Sequence, residues 1–134
     1  MAVSDVTVLL PIADRRRALA FYRDGLGLVP FGAPADDGVP EPLQFELGGG
    51  TRLMLVPTGG FGWVLGDRLA AAAGRSECVI TFRVPTESGV EEAVQRAVRA
   101  GAVVVTAPGR QPWGYQGSFS DPDGHLWTVM SAGW

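Results

Sequence analysis

Residues 6–27 read VTVLLPIADRRRALAFYRDGLG, and this stretch decides the fold. The apolar run at residues 3–12 is rich in β-branched side chains and predicts a strand. Asp14 is a good N-cap, and the residues behind it place apolar side chains at helical spacing. Gly25 and Gly27 then supply the signal that ends a helix. The stretch therefore predicts a strand followed by a helix.

The same pattern restarts about 73 residues later, which is the signature of an internal repeat. Residues 78–84 are again β-rich, and residues 88–100 carry an apolar stripe at helical spacing that ends at Gly101. Three further strands are predicted in each half, at residues 28–32, 43–47, 51–56, 103–107, 113–120 and 125–130. The glycine run at 48–50 indicates a hairpin. The sequence therefore predicts an α+β fold with two βαβββ modules, whose curved mixed sheet surrounds a pocket.

The chain is expected to be a single domain. The predicted parts are a first module at about 1–57, a connection at 58–76 and a second module at about 77–134. The connection is rich in glycine and carries Phe61 and Trp63. We expect it to be a loop that folds over the pocket, with at most one or two helical turns at residues 69–73.

Composition excludes several classes of function. The net charge is −3, and basic residues cluster only at positions 15–17, which is typical of the solvated start of a helix and not of a nucleic-acid interface. No apolar run approaches the roughly 18 residues of a membrane span, and the N-terminus lacks the basic region of a signal peptide, so a cytoplasmic protein is expected. The single cysteine, Cys78, excludes an internal disulfide and a zinc site of several thiolates. Arginine is the only basic residue besides one histidine, and asparagine is absent, as is typical of a GC-rich bacterial genome.

Three local motifs add to the repeat: AFYRDGLG at residues 20–27, the strand end and helix at 84–101, and DPDGHLW at 121–127. Each has a structural explanation of its own; Asp121 and Asp123, for example, stabilise a turn through side-chain-to-backbone hydrogen bonds. In this order and at these spacings, across nearly the whole chain, they resemble the vicinal-oxygen-chelate family of glyoxalases, bleomycin-resistance proteins and dioxygenases.

Metalloenzymes of that family hold a divalent ion with His, Gln or Glu side chains on the first, fourth, fifth and eighth strands. The resemblance places these positions at Thr7, Met54, Val79 and Thr128. Two hydroxyls, a thioether and an isopropyl group cannot chelate a hard dication. We therefore expect no metal and no other cofactor. His125, the single histidine, lies beside a turn and is more typical of a turn residue than of a ligand.

The pocket lining follows from the period-two alternation of strands. On the first strand the apolar row faces the helix and leaves Thr7 and Leu9 on the other face. On the last strand Trp127 faces the helix and is predicted to be core. The candidate ligand-binding residues are Thr7, Leu9, Met54, Phe61, Trp63, Val79, Trp113, Tyr115 and Thr128. The aromatic members have an alternative interpretation as core or dimer interface.

Three functions fit these features. The first is a metal-free small-molecule binding protein of the bleomycin-resistance type, which sequesters an aromatic or mid-sized organic metabolite or antibiotic. The second is a lyase or isomerase that acts without the usual metal site and uses Glu46, Tyr115 or His125 as acid or base. The third is a metabolite sensor. A homodimer is expected in each case, because two short sheets leave exposed edges. The sequence names neither the ligand nor any catalytic residue.

Overall fold

The computed structural model describes residues 2–131. Met1 and residues 132–134, which the predicted modules include, lie outside the described residues. The elements in chain order are β1 (Val6–Ile12), α1 (Arg15–Ala20), a π-helical turn (Phe21–Gly25), β2 (Pro30–Phe31), β3 (Leu43–Gly48), β4 (Thr51–Pro57), α2 (Thr58–Leu65), β5 (Val79–Arg83), α3 (Glu87–Arg99), β6 (Val103–Gln111), β7 (Gly114–Ser120) and β8 (Leu126–Ser131).

The chain divides into two compact units with the same strand arrangement. One contains the residues up to Arg23 together with Gly27–Ala70, and the other contains Asp24–Leu26 and the residues from Ala71 onward. Each unit holds a four-stranded mixed sheet, with strand order β1-β4-β3-β2 in unit 1 and β5-β8-β7-β6 in unit 2. The first strand of each order is parallel to its neighbour, and the remaining pairs are antiparallel. The predicted α+β class with two similar modules is confirmed.

The first helix begins at the predicted N-cap. The Asp14 carboxylate accepts a hydrogen bond from the backbone N–H of Arg17 at 2.8 Å. Beyond Ala20 the α-helix widens into the π-helical turn, which the sequence pattern did not indicate. Phe21 and Tyr22 are both buried there and meet edge to face, with 5.0 Å between ring centroids. The wider turn thus places two consecutive aromatic rings in the core.

Arg15 is not the solvated residue that the sequence predicted. Its side chain is only 18% exposed and reaches over to the loop before β3. Its Nη2 donates to the carbonyl oxygens of Val39 and Pro40 at 3.0 and 2.8 Å, and its Nη1 lies 2.5 Å from an Asp37 carboxylate oxygen. Its Nε lies 3.1 Å from Glu41, an ion-pair contact without hydrogen-bond geometry. Arg15 therefore holds this loop against the start of α1.

The predicted glycine hairpin connects β3 and β4. Gly48, Gly49 and Gly50 have φ values of 91°, 60° and 78°, which side chains with a Cβ rarely adopt. The hairpin fixes the register of the two strands, so that Phe45 pairs with Leu53 and both are buried. Tyr22 packs on Phe45 at 5.7 Å between ring centroids, which identifies this side of the sheet as the one covered by the first helix.

In unit 2 the helix α3 covers one side of the sheet. Thr86 caps it by accepting a hydrogen bond from the Gly89 N–H at 3.0 Å, and its apolar stripe is buried. Trp127 on β8 is 2% exposed and lies 6.2 Å from Phe82 between ring centroids. The prediction that Trp127 is core is confirmed.

The connection contains a helix, but not where the sequence predicted it. Residues 69–73 are not helical, whereas α2 begins directly after β4 and includes the glycine-rich segment. The Thr58 hydroxyl donates to the Ile12 carbonyl oxygen at 3.0 Å and joins the start of α2 to the end of β1. Tertiary contact overrides the low helix propensity of glycine here. No helix within residues 2–131 is long and apolar enough to cross a membrane.

Candidate functional site

The register of unit 1 separates its sheet into a helix-covered face and an open face. Val8 and Leu10 on β1 pair with Leu53 and Leu55 on β4, and they share the face on which the first helix packs. Alternation directs the intervening residues to the opposite side. We define the unit 1 open face by the paired residues on that side: Thr7, Leu9, Phe31, Gln44, Glu46, Arg52 and Met54.

The predicted site residues of β1 and β4 lie on this open face. Thr7 is opposite Arg52, and Leu9 is opposite Met54 in the next row. All four side chains are half-buried. Thr7, Leu9 and Met54 are therefore neighbours on one surface, and Thr7 and Leu9 lie on the face that alternation predicted for them.

A charged and aromatic group occupies the centre of the unit 1 open face. Arg52 donates from Nε to a Glu46 carboxylate oxygen at 3.2 Å, across the β3–β4 pair. The Arg52 guanidinium carbon also lies 5.1 Å from the centroid of the Phe31 ring, a cation–π distance. Sequence reasoning did not select Phe31, because a two-residue strand has no alternation from which to predict its face.

The unit 2 open face is defined in the same way, by the residues on β5, β7 and β8 that point away from α3. They are Val79, Thr81, Arg83, Gln116, Ser118, Ser120, Leu126, Thr128 and Met130. The predicted residues Val79 and Thr128 both lie on it, in adjacent rows of the parallel β5–β8 pair.

Hydroxyl groups run across the middle of the unit 2 open face. Thr81 pairs with Thr128, Thr128 pairs with Ser118, and Ser118 pairs with Thr106 on β6. Ser118 is 6% exposed, whereas Thr81 and Thr106 are exposed. Such a row offers hydrogen-bond donors and acceptors at the spacing of neighbouring strands, about 5 Å.

Trp113 lies in the tight turn between β6 and β7, at the end of the unit 2 open face. Its indole N–H donates to the Gln116 side-chain oxygen at 2.6 Å, and the residue is 49% exposed. Gln116 belongs to the open face, because it pairs with Met130. The hydrogen bond therefore holds the ring beside that face and leaves much of the ring accessible to a ligand.

Tyr115 does not join the other candidates. It pairs with Ser131 on the helix-covered side, and its hydroxyl donates to the Glu91 carboxylate on α3 at 2.6 Å. This hydrogen bond is the main reason why the pKa of Tyr115 is raised above its ordinary value. The prediction grouped Tyr115 with Trp113 as a rim segment, but strand alternation sends Tyr115 and Gln116 to opposite faces.

Phe61 and Trp63 both lie on α2, which the sequence predicted to be a loop. Phe61 is half-buried, whereas Trp63 is 86% exposed. Gly60, one residue before Phe61, approaches the Val56 side chain so closely that an added Cβ would lie 3.3 Å from it. Unit 1 therefore buries part of Phe61 and leaves the Trp63 ring open to solvent or to a partner.

The four residues at which the resemblance predicted the metal-ligand positions do not fit a metal. Thr7 and Met54 lie on the unit 1 open face, and Val79 and Thr128 lie on the unit 2 open face. A divalent ion of this kind needs imidazole or carboxylate donors, which none of the four supplies. Within residues 2–131, His, Cys, Asp and Glu side chains form no group of three that could hold an ion.

The candidate acids and bases occupy three different environments. Glu46 lies on the unit 1 open face and is paired with Arg52, while Tyr115 is bound to Glu91 on the helix-covered side. His125 belongs to the DPDG turn, where its backbone N–H donates to the buried Asp121 carboxylate at 2.8 Å. The Asp123 N–H donates to the same oxygen at 2.9 Å, so Asp121 has the structural role that the motif predicted.

Comparison with solved structures identifies the same fold in proteins of low sequence identity. A hypothetical protein, SA1046 from S. aureus, superposes with a TM-score of 0.81 at 25% identity, over 98% of this chain and 95% of that one. A glyoxalase-related enzyme from Fulvimarina pelagi gives 0.80 at 24% identity, over 94% and 86% of the two chains. TnmS3, an antibiotic binding protein from Streptomyces sp. CB03234, gives 0.67 at 27% identity, over 98% of each chain. No curated protein matches the sequence.

A family model covers nearly the whole sequence. The model that describes the Glyoxalase/Bleomycin resistance protein/Dioxygenase superfamily matches residues 6–129, from the first residue of β1 to within the last strand. The matched region includes the unit 1 open face and all of the unit 2 open face except Met130. The sequence match and the repeated architecture agree, and the chain therefore belongs to the Glyoxalase/Bleomycin resistance protein/Dioxygenase superfamily.

Proposed function

We propose that this protein binds an aromatic or mid-sized organic metabolite or antibiotic without a metal ion, and that it acts by sequestration. The ligand would contact an open face of a sheet. Of the predicted binding residues, Thr7, Leu9 and Met54 lie on the unit 1 open face, and Val79 and Thr128 lie on the unit 2 open face. Superfamily membership and the antibiotic-binding neighbour TnmS3 support a role of this kind.

The composition of the two open faces is the observation that carries the proposal. Leu9 and Met54 on one face and Val79 and Leu126 on the other supply accessible apolar area. Hydroxyl and amide side chains lie among them, and the Trp113 ring lies beside the second face. Small-molecule sites combine apolar and aromatic walls with a few polar groups that set orientation. Among the residues that define the two faces, Glu46 is the single carboxylate, and it is paired with Arg52, so the surface suits binding better than proton transfer.

Calorimetric titration with a panel of aromatic antibiotics and metabolites tests the proposal. For a ligand that binds the wild type, Trp113→Ala and Trp63→Ala are each expected to weaken affinity roughly tenfold, because each removes an accessible stacking surface. Trp127→Phe is the matched control, since it changes a tryptophan that is 2% exposed and faces α3. Unchanged affinity in both alanine variants would place the ligand elsewhere. A panel without any ligand would contradict the sequestration role.

A metal-independent lyase or isomerase is the second candidate, and Glu46 is the observation that favours it. Among the three predicted acids and bases, only Glu46 lies on an open face, and its side chain is 51% exposed. A carboxylate at that place has access to a proton of a bound molecule. Nuclear magnetic resonance of a bound ligand over time distinguishes the two functions. Turnover that Glu46→Gln abolishes would establish the enzyme, whereas an unchanged ligand supports sequestration.

We further propose a cytoplasmic homodimer. Val64 and Leu69 are large apolar residues exposed on unit 1, as expected of a surface that a second copy covers. Cys78 is a free, exposed thiol, which is compatible with a reducing compartment. Light scattering at micromolar concentration is expected to give twice the chain mass. A monomeric mass of the wild type would contradict the dimer.

A further inference from the structure

We propose that Arg52 selects ligands that carry an anionic oxygen on an aromatic ring, and that Glu46 and Phe31 are the positioning residues that hold its guanidinium ready. This inference rests on the proposed binding function and assigns its ligand class. Three observations support it: the position of Arg52 in the sheet, its contacts with Glu46 and Phe31, and the N–H groups of its guanidinium that these contacts leave available to a ligand.

Arg52 emerges from an interior strand. β4 lies between β1 and β3, and Arg52 is opposite Thr7 on one side and Glu46 on the other. The neighbouring row holds Leu9 and Met54, so the charge lies beside apolar side chains. The Arg52–Glu46 ion pair is partly exposed, and such pairs contribute little to stability. Stability alone therefore does not explain the guanidinium at this place.

The two contacts of Arg52 fix the orientation of the guanidinium plane. Glu46 accepts from Nε at 3.2 Å, and the Phe31 ring lies beneath the guanidinium carbon at 5.1 Å. A guanidinium whose orientation is already fixed loses less conformational entropy when it binds a ligand. Such a side chain is therefore preorganised for directional hydrogen bonds. The side chain remains 42% exposed, which leaves it accessible from solvent.

The contacts engage one N–H group and one face of the guanidinium. Within residues 2–131, the N–H groups of Nη1 and Nη2 have no hydrogen-bond acceptor. These groups form the edge that binds a carboxylate through two parallel hydrogen bonds. The opposite guanidinium face is able to stack on an aromatic ring, as Phe31 does from below. Together they match a flat ring with an acidic oxygen on its edge.

A comparison of acids with neutral isosteres tests the proposal. The probes are 2-naphthoate with methyl 2-naphthoate, and 4-nitrophenolate with 4-nitroanisole at a pH where the phenol is ionised. Calorimetry on the wild type is expected to show roughly tenfold or greater preference for at least one anion over its neutral partner, the ratio that hydrogen bonds to a charged group provide. The two pairs distinguish a carboxylate ligand from a phenolate ligand.

Arg52→Gln is expected to abolish this preference, so that the anion and its neutral partner bind with similar affinity. Both members of a pair also lose the guanidinium face on which their ring stacks, and the ratio of the two affinities is therefore the readout. Arg52→Lys is expected to retain only part of it, because lysine keeps the charge but loses the planar fork. Arg99→Gln on α3 is the matched control, since it makes the same change of charge on the exposed side of a helix in unit 2. Thermal unfolding followed by circular dichroism verifies that each variant is folded.

Three results would overturn the inference. If the wild type binds each anion and its neutral partner equally, Arg52 does not select charge, although the binding function itself would stand. If the preference survives in Arg52→Gln, another group supplies it. If neither member of either pair binds to the wild type, the ligand class assigned to Arg52 is wrong, and the titration with the antibiotic panel decides separately whether the binding function fails as well.

Discussion

Replacement of Trp127 by alanine is expected to destabilise the protein strongly without acting on ligand contacts. The side chain is 2% exposed, faces α3 and meets Phe82 and Phe119 on the covered side of the unit 2 sheet. Truncation of a fully buried tryptophan to alanine removes apolar burial and leaves a cavity, which costs about 3–5 kcal/mol. Trp113→Ala is the comparison, because the residue is 49% exposed and its indole N–H donates to Gln116 at the surface, so about 1 kcal/mol or less is expected.

Urea unfolding followed by far-ultraviolet circular dichroism measures both variants without reliance on tryptophan fluorescence, which the substitutions themselves change. The free energy of unfolding comes from linear extrapolation, with a common slope as the check on two-state behaviour. A loss below about 1 kcal/mol in Trp127→Ala, or an equal loss in the two variants, would refute the assignment of Trp127 to the core and of Trp113 to an accessible surface.

Two further predictions concern acid stability and metal content. The backbone N–H of Val39, and then the charges of Arg15 and Arg16, hold the pKa of Asp37 below its usual value. The stability that this carboxylate contributes is therefore present above its unfolded pKa of about 3.9 and is lost as the pH falls through the lower folded pKa. In Asp37→Asn, the melting temperature should fall less steeply with decreasing pH in the acid range than in the wild type. An equally steep fall in both proteins would contradict this. Elemental analysis should find no stoichiometric divalent metal, and about one ion per chain would revive a metalloenzyme.

Several features of the site were predictable because they depend on local periodicity. Alternation along β1 and β8 placed Thr7, Leu9 and Thr128 on the faces away from the helices, and the pairing in the structure agrees. The DPDG turn and the glycine hairpin were equally predictable, because their conformations restrict which residues are tolerated. In each case the determining interactions lie within a few residues of one another.

Local patterns in the sequence were sufficient to predict the two βαβββ modules, the helix N-cap at Asp14 and the core position of Trp127. The cap of α3 at Thr86 was not predicted. The tertiary structure alone decided which side chains meet across strands. Phe31 lies under Arg52 because β2 pairs with β3, and Tyr115 turns to Glu91 because β7 registers with β8. Helix α2 likewise forms in a glycine-rich segment that local propensity predicts to be a loop. Local periodicity determines on which face of the sheet a strand residue lies. Its neighbours on adjacent strands depend on pairing between segments that are distant in sequence, which no local pattern encodes.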